Sequence, residues 1–311
     1  MSGSDGPHIA LIGLGLIGSS LGHAFKKNGV TTRITGFARS PETRARAREL
    51  GFVDAVYDMP SDAVDGADVI FFNVPLSAMA PLARDIMPDV KSGAVITDVG
   101  SVKQCVLDEI TPLLKQDVHL VPGHPIAGTE HSGPDAGFAE LFEGRWCILT
   151  PPGDTNLHAV ETVAGLWRDI GSDVEFMDAR HHDLVLAITS HLPHLIAFNI
   201  VGTAAQLESD TRSDVIKYSA SGFRDFTRIA ASDPVMWRDI FLQNKDAVLE
   251  MLGRFNEDLV ALQRAIRHGD ADYLQTTFSQ TREIRQSVID AGQDVDVPNF
   301  GRDLSPKPDA V

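Results

Sequence analysis

His8-Ile9-Ala10-Leu11-Ile12-Gly13-Leu14-Gly15-Leu16-Ile17-Gly18 is the stretch that decides the fold. Its first half is a short apolar run that reads as a strand. Its second half is a G-x-G-x-x-G turn that leaves the strand and opens a helix, which Asn28-Gly29 stops. Gly13 allows the tight turn, Gly15 lets the backbone approach a pyrophosphate, and Gly18 lets the helix pack close to the strand. The phosphate would rest on the unsatisfied N–H groups of Leu16, Ile17 and their neighbours at the helix start. A glycine turn without a ligand is the alternative, and the strand–turn–helix context weighs against it.

Outward from this turn the same pattern recurs. Residues 33–38 read as a second strand, and Ser40-Pro41 supplies an N-cap followed by proline at the first helical position. That helix runs to about Leu50, with Gly51 as its stop. Residues 68–74 (DVIFFNV) form an uninterrupted apolar run, as expected of a strand covered on both faces. Residues 94–99 and 119–121 repeat the theme. Residues 146–150 and 174–177 add strands, with a helix over 156–170 between them. Strand and helix in alternation imply an α/β fold, a Rossmann-type doubly wound parallel sheet, over residues 1–178.

After Asp178 no convincing strand remains, so residues 179–291 read as an all-helical second domain. Phe241, Val248, Leu252, Phe255, Leu259, Leu262 and Ile266 form one apolar stripe on a single long helix, which either packs inside its own domain or seats a partner helix. Residues 292–311, rich in Pro, Asp and Gly, read as a mobile tail.

The composition narrows the function. The chain has 311 residues, 27 Lys+Arg against 43 Asp+Glu, and a net charge of −16, which argues against nucleic acid or an anionic membrane as the main partner. Two cysteines, Cys105 and Cys147, exclude a disulfide framework and suit a reducing cytoplasm. The N-terminus has neither the basic nor the apolar region of a signal peptide. Residues 184–202 are apolar enough to need checking as a membrane span. His191, Pro193, His194 and Asn199 inside them point to a buried helix with polar groups facing a cavity.

The end of the second strand bears on the nucleotide. An NAD site carries an acid there for the ribose hydroxyls; here Ala38 is followed by Arg39 and Ser40. A guanidinium and a hydroxyl suit a 2′-phosphate, with Arg44 one turn on, so NADP is favoured over NAD. Ser40 as a plain N-cap and Arg39 as a solvated side chain are the alternative. Val74, at the end of its strand, completes the expected cofactor contacts.

Four further segments carry candidate chemistry. Ser101, with Gln104 three residues on, reads as a capping box and lies at the carboxyl edge of the sheet, where ligands bind. His124 stands in a loop between rigidifying Gly and Pro, and an imidazole there suits removal of a hydroxyl proton as hydride leaves; Glu130 follows it. Ser190 and His194, four apart, share a helix face. Arg224 and Arg228, with Arg238 beyond Trp237, suggest a bound carboxylate in so acidic a chain, although pairing with surplus acids explains Arg238 best. His181-His182-Asp183 matches no zinc spacing, and no metal is expected.

Five segments together, GLGLIGSSLG, DVGSVK, GHPIAGTEHSG, SHLPH and GFRDFTRIAASDPVMWRDIF, resemble the prephenate/arogenate dehydrogenase (cyclohexadienyl dehydrogenase) family, from about Ile9 to Val288. The resemblance implies a Rossmann domain followed by an all-helical domain through which two copies dimerise. It implies oxidative decarboxylation of prephenate or arogenate in tyrosine biosynthesis, with NADP or NAD as hydride acceptor. By the same resemblance His124 accepts the proton of the ring hydroxyl and Ser101 contacts that hydroxyl and the nicotinamide. Glu130 gates the pocket beside Thr129, Ser190 and His194 lie near the substrate side chain, and Arg228 binds a carboxylate with Asp225 and Trp237 as neighbours. Two other readings remain at this stage. A β-hydroxyacid dehydrogenase would need a catalytic lysine, for which Lys217 and Lys245 lack a motif. A non-catalytic NADP-binding regulator would leave His124, Ser101 and Arg228 without purpose.

Overall fold

The computed structural model describes residues 6–129, 131–206 and 221–290. Glu130, Lys217 and the tail expected at 292–311 lie outside the described residues.

Six parallel strands form the main sheet: β1 (His8–Ile12), β2 (Arg33–Phe37), β3 (Ala55–Tyr57), β4 (Val69–Phe72), β5 (Val95–Asp98) and β6 (His119–Leu120), in the spatial order β3-β2-β1-β4-β5-β6. This is the doubly wound order, and its switch point falls beside β1. The two central strands are apolar from Ile9 to Ile12 and from Val69 to Phe72, as suits strands whose two faces are covered by helices. On one face α1 (Leu16–Asn28) and α6 (Leu157–Asp169), the latter through Trp167, pack over Leu11 and Phe71; on the other, α4 (Leu76–Ile86) and α5 (Gln104–Ile110) pack over Ile12, Ile70 and Ile96. The short strand β3 carries no clear apolar signature and was not anticipated.

The late strands do not extend the sheet. β7 (Gly123–Pro125), β8 (Trp146–Leu149) and β9 (Asp173–Phe176) form a separate three-stranded sheet in which β7 runs antiparallel to β8. The sequence reading made the His124 segment a loop because it is short and flanked by Gly and Pro. It is instead an edge strand, where proline is tolerated.

The helical part begins with α7 (Ala179–Leu186), a π-helical turn (Ala187–His191) and α8 (Leu192–Ala205), which run on as one helix. By length and composition alone this helix could cross a membrane. Its buried side carries His182, Asp183 and His191. There follow α9 (Ser221–Thr227), a 3-10 turn (Arg228–Ala231), α10 (Pro234–Gln243), α11 (Lys245–His268) and α12 (Ala271–Asp290). The single long helix expected for the apolar stripe is broken at Asn244, so Phe241 belongs to α10. Val248, Leu252 and Phe255 pack against Ala187 and Leu192, whereas Leu259 and Ile266 stay exposed. The stripe therefore splits between an internal seam and an open face.

The two halves share a core. Trp237 and Ile240 of α10 are buried in the same cluster as Met79 and Ala83 of α4, and the Ser77 hydroxyl donates to Asp239 at 2.6 Å.

Candidate active site

The glycine turn has the geometry of an anion cradle. Gly13 has φ +107°, and a Cβ there would lie 2.3 Å from the Asn73 carbonyl oxygen and 2.9 Å from a Val74 methyl. A Cβ on Gly18 would lie 2.0 Å from the Gly13 carbonyl oxygen, so that glycine is needed for close packing. Gly15, the N-cap of α1, has open space where a Cβ would be, and no side chain caps the helix. The free N–H groups of that first turn fit a pyrophosphate, which the residues present would hold without rearrangement.

The end of β2 is more committed than the sequence suggested. The Ser40 hydroxyl accepts from the Thr43 N–H at 3.1 Å, as an N-cap, and donates to the Glu42 carboxylate at 2.6 Å. Arg44 donates to the carbonyls of Ala38 and Arg39, both at 2.8 Å. Arg39 is exposed and is left as the candidate cation for a 2′-phosphate. Glu42 introduces the acid that the bare order Ala38-Arg39-Ser40 did not reveal.

At the carboxyl ends of β5 and β6, a fully buried ion pair holds the base candidate. Asp98 accepts from the Gly100 N–H at 2.8 Å and the Gly123 N–H at 3.2 Å, and pairs with Lys103. Lys103 also donates to the Gly123 carbonyl at 2.7 Å. Both backbone groups of the residue before His124 are thus gripped by side chains, which fixes where its ring emerges. Removing one partner of such a pair would leave a buried charge uncompensated, at a cost of about 3–5 kcal/mol.

The capping box expected from Ser101 and Gln104 does not form. Helix α5 starts at Gln104, and its first N–H groups are capped from the other half of the molecule. Asp183 accepts from the Lys103 N–H at 2.8 Å and the Gln104 N–H at 2.9 Å. A carboxylate 80 residues along the chain from Lys103 outcompetes the local hydroxyl because it satisfies two donors and bears the charge that a helix N-terminus favours. Ser101 is half-buried on the loop between β5 and α5, free of that capping duty.

His124 is 8% exposed, and its Nδ1 lies 2.9 Å from His182 Nε2. His182 Nδ1 in turn lies 2.8 Å from the Asp183 carboxylate. Among the described residues His124 Nε2 meets no hydrogen-bond partner, which makes it the open side of the ring. Burial holds His124 well below the usual histidine range, helped by the nearby His182, Lys103 and His191, so its ring is neutral at neutral pH.

From Asp183 the polar chain continues. Asn244 donates to the Asp183 carbonyl at 2.8 Å and contacts His191 Nδ1 at 3.1 Å. His191 is lowered by burial to about 4. Its ring meets Trp237 edge-on at 6.1 Å, and His194 stacks on Trp237 at 3.7 Å. His194 Nδ1 is 2.9 Å from the Ser190 carbonyl oxygen. Burial lowers His194 too, the Ser190 carbonyl opposes this, and the positive charge of Arg228 adds to the lowering. Arg228 thus acts electrostatically on His194, at the opposite end of this chain of contacts from His124.

Not every candidate joins it. Asp225 pairs with Arg224 at 3.0 Å, and both side chains are largely exposed. Arg238 pairs with Asp239, as the surplus of acids suggested. Thr129 is exposed beside the undescribed Glu130. Among the described residues no cluster of metal ligands occurs. Sequence reasoning missed His182, Asp183, Lys103, His191 and Asn244 as parts of the site. A signal existed: Ala179, His182 and Leu186, spaced three and four apart, mark a buried helix face with a histidine on it.

Known proteins resemble this chain along most of its length. Residues 21–176 match the family model for the prephenate dehydrogenase nucleotide-binding domain, and residues 178–280 match that for the prephenate dehydrogenase dimerization domain. The cyclohexadienyl dehydrogenase of Zymomonas mobilis is 44% identical over 281 residues, covering 90% of this chain and 96% of that protein. The prephenate dehydrogenase of Bacillus subtilis is 34% identical over 281 residues, covering 90% and 76%. The crystal structure of prephenate dehydrogenase from Aquifex aeolicus with hydroxyphenyl propionate and NAD+ superposes with a TM-score of 0.86 at 32% identity, over 92% of this chain and 100% of that one.

Proposed function

The chain belongs to the prephenate dehydrogenase family, and on that premise we propose that it oxidatively decarboxylates prephenate or arogenate, with His124 as the base and Arg228 as the carboxylate clamp. The observation that carries this reading is the open Nε2 of a buried, neutral His124, in a chain of contacts that ends at His194, on which the charge of Arg228 acts. When bound, the oxidised nicotinamide accepts hydride from the hydroxyl-bearing ring carbon. His124 Nε2 takes the hydroxyl proton, and Ser101 orients that hydroxyl. The carbonyl that forms draws the electron pair of the bond to the ring carboxylate opposite, so carbon dioxide leaves, the ring becomes aromatic, and the phenolate oxygen recovers the proton from His124. Arg228 holds the remaining carboxylate, with Ser190, His194 and the Trp237 face along the side chain. Asp225, Thr129 and Glu130 are assigned to the pocket mouth by resemblance to the family. The protein's work is alignment, removal of one proton and fixing of one anion.

For the cofactor, Gly13, Gly15, Leu16, Ile17, Gly18 and Val74 would form the pyrophosphate cradle. Arg39 supports NADP. A second reading, NAD, is favoured by the Glu42 carboxylate at the Ser40 hydroxyl, since an acid there accepts ribose hydroxyls and repels a 2′-phosphate. A steady-state assay of prephenate and arogenate, each with NAD and NADP, tests the whole proposal. Turnover is expected in at least one pair, and none in any would refute it. Preference for NADP supports Arg39 as the phosphate partner; strong preference for NAD removes that role and assigns the ribose to Glu42.

The second half is a dimerization domain by family, and its exposed Leu259, Ile266, Phe278 and Ile284 on α11 and α12 suit a second copy. Sedimentation should give twice the 33.7 kDa chain mass, and a monomer would rule that role out. The reaction belongs in the cytoplasm, where the nicotinamide cofactor and a reducing environment are found.

A further inference from the structure

We infer that His182 is a positioning residue that transmits the orientation of the Asp183 carboxylate to His124 and fixes His124 as the tautomer with a free Nε2 lone pair. The inference rests on the reading of His124 as the base.

The argument is one of donors and acceptors. An ionised carboxylate can only accept, so the 2.8 Å contact requires His182 Nδ1 to carry a hydrogen. The Nε2 of a neutral His182 is then a lone pair. The 2.9 Å contact to His124 therefore requires His124 Nδ1 to be the donor, which leaves Nε2 as the lone pair on the open side. The opposite assignment would place two lone pairs against each other at the Asp183 end. Burial disfavours the charged form of both rings, in keeping with this neutral pair.

The start of the relay is itself fixed. Asp183 cannot turn, because its two oxygens are held by the Lys103 and Gln104 N–H groups. The other charged groups acting on His182 are Lys103 and Asp98, which pair with each other. His124 belongs to the strand sheet, whereas His182 and Asp183 come from α7 of the helical half. The base is set in its working tautomer only when the two halves are docked. A histidine buried merely to fill space would need neither a carboxylate behind it nor an imidazole donor in front.

Nitrogen-15 NMR of histidine-labelled protein reads the tautomers directly in the wild type. His124 is expected protonated at Nδ1 and bare at Nε2; protonation at Nε2 would overturn the inference. Two variants supply the kinetic arm. His182→Asn keeps a donor to Asp183 but offers nothing to His124 Nδ1. Its kcat should fall about 10- to 100-fold while both KM values stay within about threefold, as expected for a residue acting through another. His182→Gln presents an amide oxygen near the lost Nε2 and should recover kcat to within about fivefold of wild type. Unchanged kcat in both variants, or equal losses accompanied by raised KM, would overturn the positioning role. If neither variant folds, the wild-type spectrum alone decides. Failure of the base reading looks different: His124→Asn would then keep its turnover whatever the spectrum shows.

Discussion

Replacing His124 with asparagine is expected to lower kcat about 10³-fold, within the range that a positioned acid–base group contributes. Asparagine is the informative substitute because its amide nitrogen falls near the lost Nδ1 and can still donate to His182 Nε2. The relay and β7 then survive while the open nitrogen disappears. The glycine cradle and the start of the helix Pro41–Leu50 are untouched, so nucleotide affinity, measured by fluorescence titration, should change less than about threefold. The pH profile adds a second reading. Burial holds His124 well below the ordinary histidine value, so the ring is the neutral base throughout neutral pH. In the wild type kcat/KM should be level near neutrality and fall only as pH drops below the ordinary histidine range. That acid limb should be missing in the variant. Turnover within about threefold of wild type would remove His124 from the chemistry.

The second large effect is expected at Arg228. Replacing it with alanine removes a charge-assisted contact to a substrate carboxylate, which is worth about 1.5–3 kcal/mol. Its KM for prephenate should rise roughly 100-fold while kcat changes little, because the anion is bound alike in the ground and transition states. Arg228→Lys keeps the charge but loses the planar fork, and should fall between, at about 10-fold. An unaltered KM would show that another cation holds the carboxylate. Arg238 is a poor substitute, since it is committed to Asp239, and Arg224 is paired with Asp225.

Much of this was legible in the residues. The run from His8 to Ile12 and the three glycines of the turn, Gly13, Gly15 and Gly18, specify a strand, a turn and a close-packed helix, and the structure has all three. The uninterrupted run at 68–74 implied a doubly covered strand, which β4 is. The rest was hidden for identifiable reasons. The strand identity of His124 depends on pairing with Ile148 on β8, a partner far along the chain that no local pattern reveals. Ser101 and Gln104 do make a local capping box in sequence, but Asp183 arrives from the other half and takes the helix N-terminus. His182 and Asp183 were weighed as metal ligands and set aside for their spacing. Their actual role needs His124 within hydrogen-bonding reach, which only the docking of α7 against β7 and α5 provides. Glu42 is hidden in the sequence because it lies beyond Ser40, in the first turn of the helix Pro41–Leu50, and turns back to the cap. The broken helix at Asn244 could not be read from periodicity, since the apolar spacing continues across the break while the Asn244 amide serves Asp183 and His191.

The account depends on one substrate molecule being held at both ends, by His124 and by Arg228. A crystal structure of the protein with oxidised nicotinamide cofactor and a hydroxyphenyl carboxylate analogue tests this most directly. The account predicts the ring hydroxyl within about 3 Å of His124 Nε2 and the side-chain carboxylate within about 3 Å of the Arg228 guanidinium. A hydroxyl facing another base, or a carboxylate seated on a different cation, would contradict it.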